Sequence, residues 1–359
     1  MEKIRLLVVD DSLVIRRALR ECFRADPEIE VVGVAETGVR ALEQIDLLQP
    51  DVVTLDIEMP EMDGLEALKT IRAKGSTVPI IMFSKYTSEG ATATLEALEL
   101  GASDVVAKPE AHGGRGASCD TVKRQLTTRI RAFGRKAHRS RGRQRAHEPQ
   151  VSAPSAEALQ WTPGPVEAIA IAVSTGGPSA LIEIVSALEP VVEVPIFITQ
   201  HMPPMFTKFL AERLTARGAL RAHEAQSGML IEPGCIYVAP GNFHLEVVRA
   251  DEGLTVSLSQ APHENSCRPS ADVMLRSLAS AFGPRLMSIV MTGMGQDGRK
   301  GCEAVKSHGG FVVAQDEASS LVWGMPRAVI TANLHDAVVP LSRIAGLINE
   351  SGKRTKEKK

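Results

Sequence analysis

The sequence has no apolar stretch approaching the ~20 residues that a membrane-spanning helix requires, so no membrane insertion is expected. It has no CxxC pair either. Its five cysteines (Cys22, Cys119, Cys235, Cys267 and Cys302) are scattered and odd in number, which excludes a zinc finger and fits reduced thiols in a cytoplasmic protein. Strong charge of one sign is also missing: a net charge of −2 gives no basis for nucleic acid as a partner. The opening Met1-Glu-Lys-Ile-Arg-Leu-Leu-Val-Val-Asp10 is a short apolar run ended by acids, and reads as a buried strand rather than a signal peptide. What is present, 44% hydrophobic and 23% charged residues over 359 positions, is the composition of a soluble globular chain too long for one ordinary core and suited to two domains.

Over the first part of the chain, short β-branched runs alternate with helical patterns. Strands are expected at Arg5–Val9, Glu30–Ala35, Asp51–Leu55, Pro79–Phe83 and Asp104–Ala107. Amphipathic segments such as Val14–Arg24 and Gly64–Ala73 lie between them, and a last helix is expected from about Thr121 to Phe133. Continuous apolar strands alternating with helices imply a parallel, doubly wound sheet covered on both faces. From Arg131 the composition turns basic, and Glu148–Pro165 is rich in Pro, Ala, Ser and Glu. With almost nothing to bury, residues 131–164 read as a solvated linker, whose basic run is a helix end rather than a site for an acidic partner.

A second alternating unit spans 165–350. Its strands are expected at Ala168–Val173, Val194–Thr199, Cys235–Ala239, Leu245–Val248, Leu254–Leu258, Arg285–Met291 and Phe311–Ala314. Its helices are expected at Ser179–Ala187, Phe206–Ala216, Ala271–Ala281, Lys300–His308 and Leu341–Glu350. The Leu254–Leu258 strand with its Gly253 turn reads as an antiparallel hairpin inserted in the sheet. Residues 351–359 read as a frayed, basic tail. The fold class is therefore α/β: two doubly wound, mainly parallel-sheet domains joined by a linker, the second carrying a hairpin.

In the first domain, polar residues close all but one of the strands. Asp10 and Asp11 end the first, Asp56 the third, Ser84 the fourth and Lys108 the fifth. Taken singly, each acid or serine at a strand end reads as a helix cap. Together they place three mutually repelling carboxylates at the carboxyl edge of an open sheet, where a hard cation such as octahedral Mg2+ balances them. A hydroxyl and an ammonium converging on a metal-bound carboxylate suit a phosphoryl group attached to it. Residues 1–130, through Asp10-Asp11-Ser12, Asp56-Ile-Glu-Met-Pro-Glu-Met-Asp-Gly64, Ser84 and Lys108-Pro109, resemble a response-regulator receiver domain of flavodoxin-like fold. The resemblance implies that Asp56 accepts phosphate from a histidine kinase. It implies that Asp10, Asp11, Asp56 and the Glu58 carbonyl hold Mg2+, and that Ser84 and Lys108 contact the phosphoryl group. Val105 stands where the family usually carries an aromatic switch residue, so ring rotation is not expected to be part of the signal.

The second domain opens with a strand followed by Ser174-Thr-Gly-Gly-Pro178. A serine at a strand-to-helix turn is exposed, the glycines admit a substrate to the backbone, and the helix start supplies N–H groups. Ala172 stands where the nucleophile elbow needs its first glycine, and read alone this loop fits a phosphate cradle as well as a nucleophile. Two further loops leave strand ends: Gln200-His201-Met202-Pro203 and Thr292-Gly-Met-Gly-Gln-Asp297-Gly298. A lone loop histidine is ordinarily a bystander and a lone Asp before Gly a turn residue. With Ser174 they supply nucleophile (Ser174), general base (His201) and orienting carboxylate (Asp297), with the backbone N–H groups of Thr175 and Met294 as oxyanion candidates. No metal or cofactor is needed in this domain. The chain order Ser…His…Asp disfavours the α/β-hydrolases.

With Pro240-Gly-Asn-Phe-His244, Arg268-Pro-Ser-Ala-Asp272 and Val322-Trp-Gly-Met-Pro326, these motifs make residues 165–350 similar to the chemotaxis receptor methylesterase family, of Rossmann-like fold. A receiver joined to such a domain is that family's usual architecture. The resemblance implies hydrolysis of glutamate methyl esters on methyl-accepting chemoreceptors, with release of methanol, and deamidation of certain receptor glutamines. Arg268 and Asp272 are expected near the crevice, either serving it or forming a salt-bridged helix start. A receiver over the crevice, released on phosphorylation of Asp56, would make the enzyme switchable. Two other classes remain at this point: a phosphorylation-controlled binding module, and a transcription regulator, for which the second domain is too long and insufficiently basic.

Overall fold

The computed structural model describes residues 2–84, 88–108, 123, 126–135, 138 and 165–353. The chain divides into two compact units, Met1–Ala153 and Pro154–Lys359. The first holds β1 (Ile4–Val9), α1 (Leu13–Phe23), β2 (Ile29–Ala35), α2 (Gly38–Leu48), β3 (Val52–Asp56), α3 (Gly64–Ala73), β4 (Ile80–Ser84), α4 (Ser88–Glu99), β5 (Asp104–Ala107) and α5 (126–135). Its strands form one parallel sheet in the order β2-β1-β3-β4-β5. Every residue of β3 and β4 is buried, as expected of strands covered on both faces. The order reverses beside β1 and β3, and the crevice at such a reversal is where ligands bind in open α/β sheets.

The last helix of this unit runs beyond the expected Phe133, so Arg131 does not begin the linker. Leu126, Ile130 and Phe133 are fully buried, and Gly134 lies so close to Ile4 that a Cβ would overlap its side chain. The basic side chains here have acidic partners: Arg131 reaches Glu28 (2.6 Å) and Asp26 (3.3 Å), and Arg135 reaches Glu28 (2.8 Å). The rest of the expected linker, from 139 to 164, lies outside the described residues, as does the tail from 354.

The second unit holds β6 (Ala168–Val173), α6 (Gly177–Ser186), β7 (Ile196–Gln200), α7 (Phe206–Arg217), β8 (Arg221–Glu224), β9 (Cys235–Val238), β10 (His244–Ala250), β11 (Gly253–Ser259), α8 (Ala271–Phe282), β12 (Leu286–Val290), α9 (Arg299–Ser307), β13 (Phe311–Gln315), α10 (Met325–Thr331), β14 (Ala337–Val339) and α11 (Leu341–Ser351). Seven strands form a parallel sheet in the order β14-β13-β12-β6-β7-β9-β8. The hairpin β10–β11 is antiparallel, as expected, but forms its own two-stranded sheet rather than an insertion in the large one. It packs on α8, and Leu245, Val247 and Val256 join the core cluster that includes Phe197, Tyr237 and Leu278. Phe197 stacks on Tyr237 with centroids 5.4 Å apart. The sheet places β6, wholly buried, between β7 and β12, and those three strands carry the loops that matter.

Candidate active site

Three strand ends meet in the second unit. Val173 and Gln200 are register partners across β6 and β7, so the next residues, Ser174 and His201, emerge side by side. On the other flank the Ser174 N–H donates to the Thr292 carbonyl (3.0 Å), which fixes the β12 loop against the serine. The approach is close: a Cβ on Gly293 would lie 2.9 Å from the Ser174 Cβ and would overlap the Met325 sulfur. Gln200 Nε2 donates to the Ser174 carbonyl (3.0 Å) and ties the two loops together.

His201 Nε2 and Asp297 Oδ2 are 2.7 Å apart. Asp297 is buried and accepts four further bonds: from the Ala271 N–H (2.7 Å), the Ser270 hydroxyl (2.7 Å), the Asp272 N–H (3.2 Å) and Asn265 Nδ2 (2.9 Å). Ser270 is the N-cap of α8 and the other two N–H groups belong to its first turn, so the carboxylate sits in the positive end of a helix dipole. Burial opposes its charge, but the His201 bond, then the attraction of that ring and the helix-start donors, hold its pKa down at about 2. For His201, burial pulls the pKa down, and is outweighed by the bond to Asp297 and by the Cys267 contact, which raise it to about 10.

The structure brings all three expected residues to one sheet edge, but it joins only two of them directly. The second ring nitrogen of His201, Nδ1, faces Cys267 Sγ at 3.7 Å, and among the described residues the Ser174 hydroxyl makes no hydrogen bond to the ring. Thr175 is buried and Met294 partly so; among the described residues neither backbone N–H donates to another backbone carbonyl. Thr292 Oγ1 donates to the Thr175 carbonyl (2.9 Å) and steadies that turn. Arg268 and Asp272 do not form the salt bridge entertained above. Arg268 grips Asn242 Oδ1 through Nε (3.1 Å) and Nη2 (2.6 Å). Asp272 accepts from the Gly301 N–H (2.7 Å) and Asn265 Nδ2 (2.8 Å), bracing the ground under Asp297.

In the first unit the carboxylates of Asp10, Asp11 and Asp56 converge, with one oxygen of each inside a 4.8 Å span. Lys108 Nζ reaches Asp56 Oδ2 (2.5 Å) and Asp10 Oδ2 (2.9 Å). Asp56 Oδ1 accepts from the Glu58 N–H (3.3 Å), and Asp10 Oδ1 from the Ser12 N–H (2.9 Å). Burial raises Asp56 first; Lys108 opposes it, Asp10 adds to it, and the pKa stands at about 6. Three carboxylates against one ammonium are an oxygen-only donor set with negative charge to spare, which fits a hard divalent cation. Ser84 is buried at the end of β4, and its hydroxyl donates to the Gly90 carbonyl in α4 (3.2 Å). Val105 is paired with Met82 in the β4–β5 register.

Residues 169–348 match the family model for CheB methylesterase, and residues 6–113 the model for the response regulator receiver domain. A protein-glutamate methylesterase/protein-glutamine glutaminase of Nocardioides sp. is 46% identical over 346 residues, covering 95% of this chain and 93% of the relative. The chain belongs to the CheB methylesterase family. Another member, from Trichodesmium erythraeum, is 42% identical over 351 residues and covers 96% of this chain and 98% of its own. The crystal structure of the Thermotoga maritima CheB methylesterase catalytic domain aligns with a TM-score of 0.50 at 37% identity, covering 52% of this chain and 98% of that one.

Within this CheB-type site, sequence reasoning missed three groups around the histidine and aspartate: Asn265, Cys267 and Ser270. Ser270 was legible as the residue before a helical pattern, where serine is a common cap. Asn265 and Cys267 lie in a loop without periodicity, and nothing in their spacing points to Asp297, 32 residues from Asn265.

Proposed function

We propose that this chain hydrolyses methyl esters of glutamate side chains on methyl-accepting chemoreceptors, releasing methanol. It also deamidates specific receptor glutamines to glutamate, and phosphorylation of Asp56 by a histidine kinase sets the rate, so that the sensory pathway adapts. The observation that carries the reading is the meeting of Ser174, His201 and Asp297 at the adjacent carboxyl ends of β6, β7 and the β12 loop. The free thiols of Cys235, Cys267 and Cys302 suit a cytoplasmic location, where receptor signalling helices and kinases are reached.

The chemistry follows from which atoms are engaged. Asp297 holds Nε2, so Nδ1 is the nitrogen that receives the Ser174 proton as the oxygen attacks the ester carbon. Asp297 then stabilises the imidazolium. The Thr175 and Met294 N–H groups are the donors proposed for the oxyanion; losing one such donor typically costs ~10²–10³ in rate. The imidazolium gives its proton to the methoxy oxygen, which leaves as methanol, or to the amide nitrogen when the substrate is a glutamine, which leaves as ammonia. Water, activated by the same histidine, releases the glutamate carboxylate and restores Ser174.

In the receiver unit, Asp10, Asp11, Asp56 and the Glu58 carbonyl would hold Mg2+, which when bound neutralises charge on the incoming phosphoryl group. Asp56 is the acceptor, Lys108 contacts a phosphoryl oxygen, and Ser84 exchanges its Gly90 partner for another. Because Ser84 is bonded to α4, that exchange is the step by which phosphorylation alters the surface of the unit without an aromatic at position 105. The Ser174 hydroxyl is not spent on any bond to His201, so Ser174→Ala is expected to leave the melting temperature within a degree or two while abolishing methanol release from methylated receptor. Methanol release that survives this substitution would contradict the mechanism.

A further inference from the structure

The contact between Cys267 and His201 belongs to no step of the hydrolysis proposed above. Sγ lies 3.7 Å from Nδ1, and the opposite nitrogen is fixed by Asp297 at 2.7 Å. One ligand atom from each of His201, Cys267 and Asp297 falls within 4.8 Å of the others. A tetrahedral Zn2+ bound by thiolate sulfur at ~2.3 Å and imidazole nitrogen at ~2.0–2.1 Å holds those two atoms roughly 3.6 Å apart. The thiol and the imidazole therefore already stand at the edge length of a zinc tetrahedron. A metal-bound histidine characteristically donates its other N–H to a carboxylate, which fixes the ring and raises its basicity; Asp297 occupies that place. His201 and Cys267 are both partly exposed, so an ion has a path in from solvent.

From this geometry we infer that His201 Nδ1 and Cys267 Sγ form a binding site for a borderline-soft divalent cation, Zn2+ foremost, and that filling it switches hydrolysis off. On binding, the Cys267 S–H and, where the ring is charged, the His201 Nδ1–H give their protons to solvent, and the thiolate and the Nδ1 lone pair enter the coordination sphere. The Nε2–H stays on Asp297, water takes the remaining positions, and no oxidation state changes. The inhibitory half rests on the proposed role of Nδ1 as base, since a lone pair given to a metal cannot accept the Ser174 proton. Nitrogen and sulfur ligands select against Mg2+, whereas the all-oxygen cluster of Asp10, Asp11 and Asp56 favours it. The two ions thus sort to different ends of one chain.

Co2+ titrated into the full chain in the presence of excess Mg2+ tests the site, because thiolate ligation gives a sulfur-to-cobalt charge-transfer band in the near ultraviolet. The wild type gains the band at one equivalent and Zn2+ displaces it. Cys267→Ser lacks it, and Ser174→Ala keeps it although that variant releases no methanol. Zn2+ suppresses wild-type methanol release and a chelator restores it, whereas the hydrolysis that remains in Cys267→Ser is at least about 10-fold less sensitive to zinc, since loss of a ligand costs no less than loss of a group that only orients one. A wild type without the band, or a band that persists in Cys267→Ser, overturns the proposal. A wild type that binds zinc and hydrolyses unchanged overturns the inhibitory half. A metal-free wild type that releases no methanol counts against the hydrolase reading and leaves the binding result standing.

Discussion

At the scale of single residues, Asp297 governs what His201 can do. A general base must be neutral, and the bond to Asp297 together with the Cys267 contact raises the imidazole to about 10. Methanol release by the wild type is therefore expected to climb with pH toward that value, corrected for the hydroxide-driven hydrolysis measured without enzyme. Asp297→Asn should bring the inflection down toward the ordinary histidine value near ~6.5 and lower the rate by about 10⁴, as the loss of an orienting carboxylate does in other triads. An unchanged inflection in Asp297→Asn would break the link between the two residues. The same bond sets a stability window. His201, raised, contributes fully below its unfolded pKa and loses that contribution as pH climbs through about 10; Asp297, lowered, contributes above its unfolded pKa and loses it as pH falls through about 2. The placement of the candidate residues was legible where a polar side chain interrupts a strand–loop pattern, as at Asp56, Ser174 and His201. At Cys267 no such pattern exists, because its contact with His201 spans 66 positions of chain.

At the scale of elements, the placement of the active residues depends on strands and turns that press together. Gly293 in the β12 loop has no room for a side chain between Ser174 and Met325, so Gly293→Ala should push the Ser174 turn aside. The expected result is a fall in kcat with little change in KM, read from methanol release, since the binding surface is intact while the nucleophile is misplaced. Strands with continuous apolar runs, such as β3 and β6, were read correctly because burial on both faces demands that composition. The strand β8 was missed: Arg221-Ala-His-Glu224 is an edge strand with a single apolar residue facing the core, and edge strands need not look hydrophobic. The helix α5 was cut short for the opposite reason. Its arginines imitate a solvated linker, yet they are neutralised by Asp26 and Glu28 while Phe133 is fully buried.

At the scale of the whole molecule, two independently cored units are coupled by a chain segment of basic and Pro-, Ala-, Ser- and Glu-rich composition. The proposed regulation is a population shift: the receiver restrains access of a bulky receptor helix, and phosphorylation of Asp56 relieves the restraint. A chain beginning near residue 165 should then release methanol faster than the unphosphorylated full chain; equal or slower release would contradict restraint. The order of the two units and the chemistry of each were legible from motifs.

The most direct test measures methanol release from methylated chemoreceptor, with and without a small-molecule phosphodonor and Mg2+, for wild type, Asp56→Ala and Ser174→Ala. The account predicts release by the wild type that the phosphodonor accelerates, release by Asp56→Ala that it does not, and none by Ser174→Ala under either condition. Equal acceleration of wild type and Asp56→Ala, or residual release by Ser174→Ala, would contradict it.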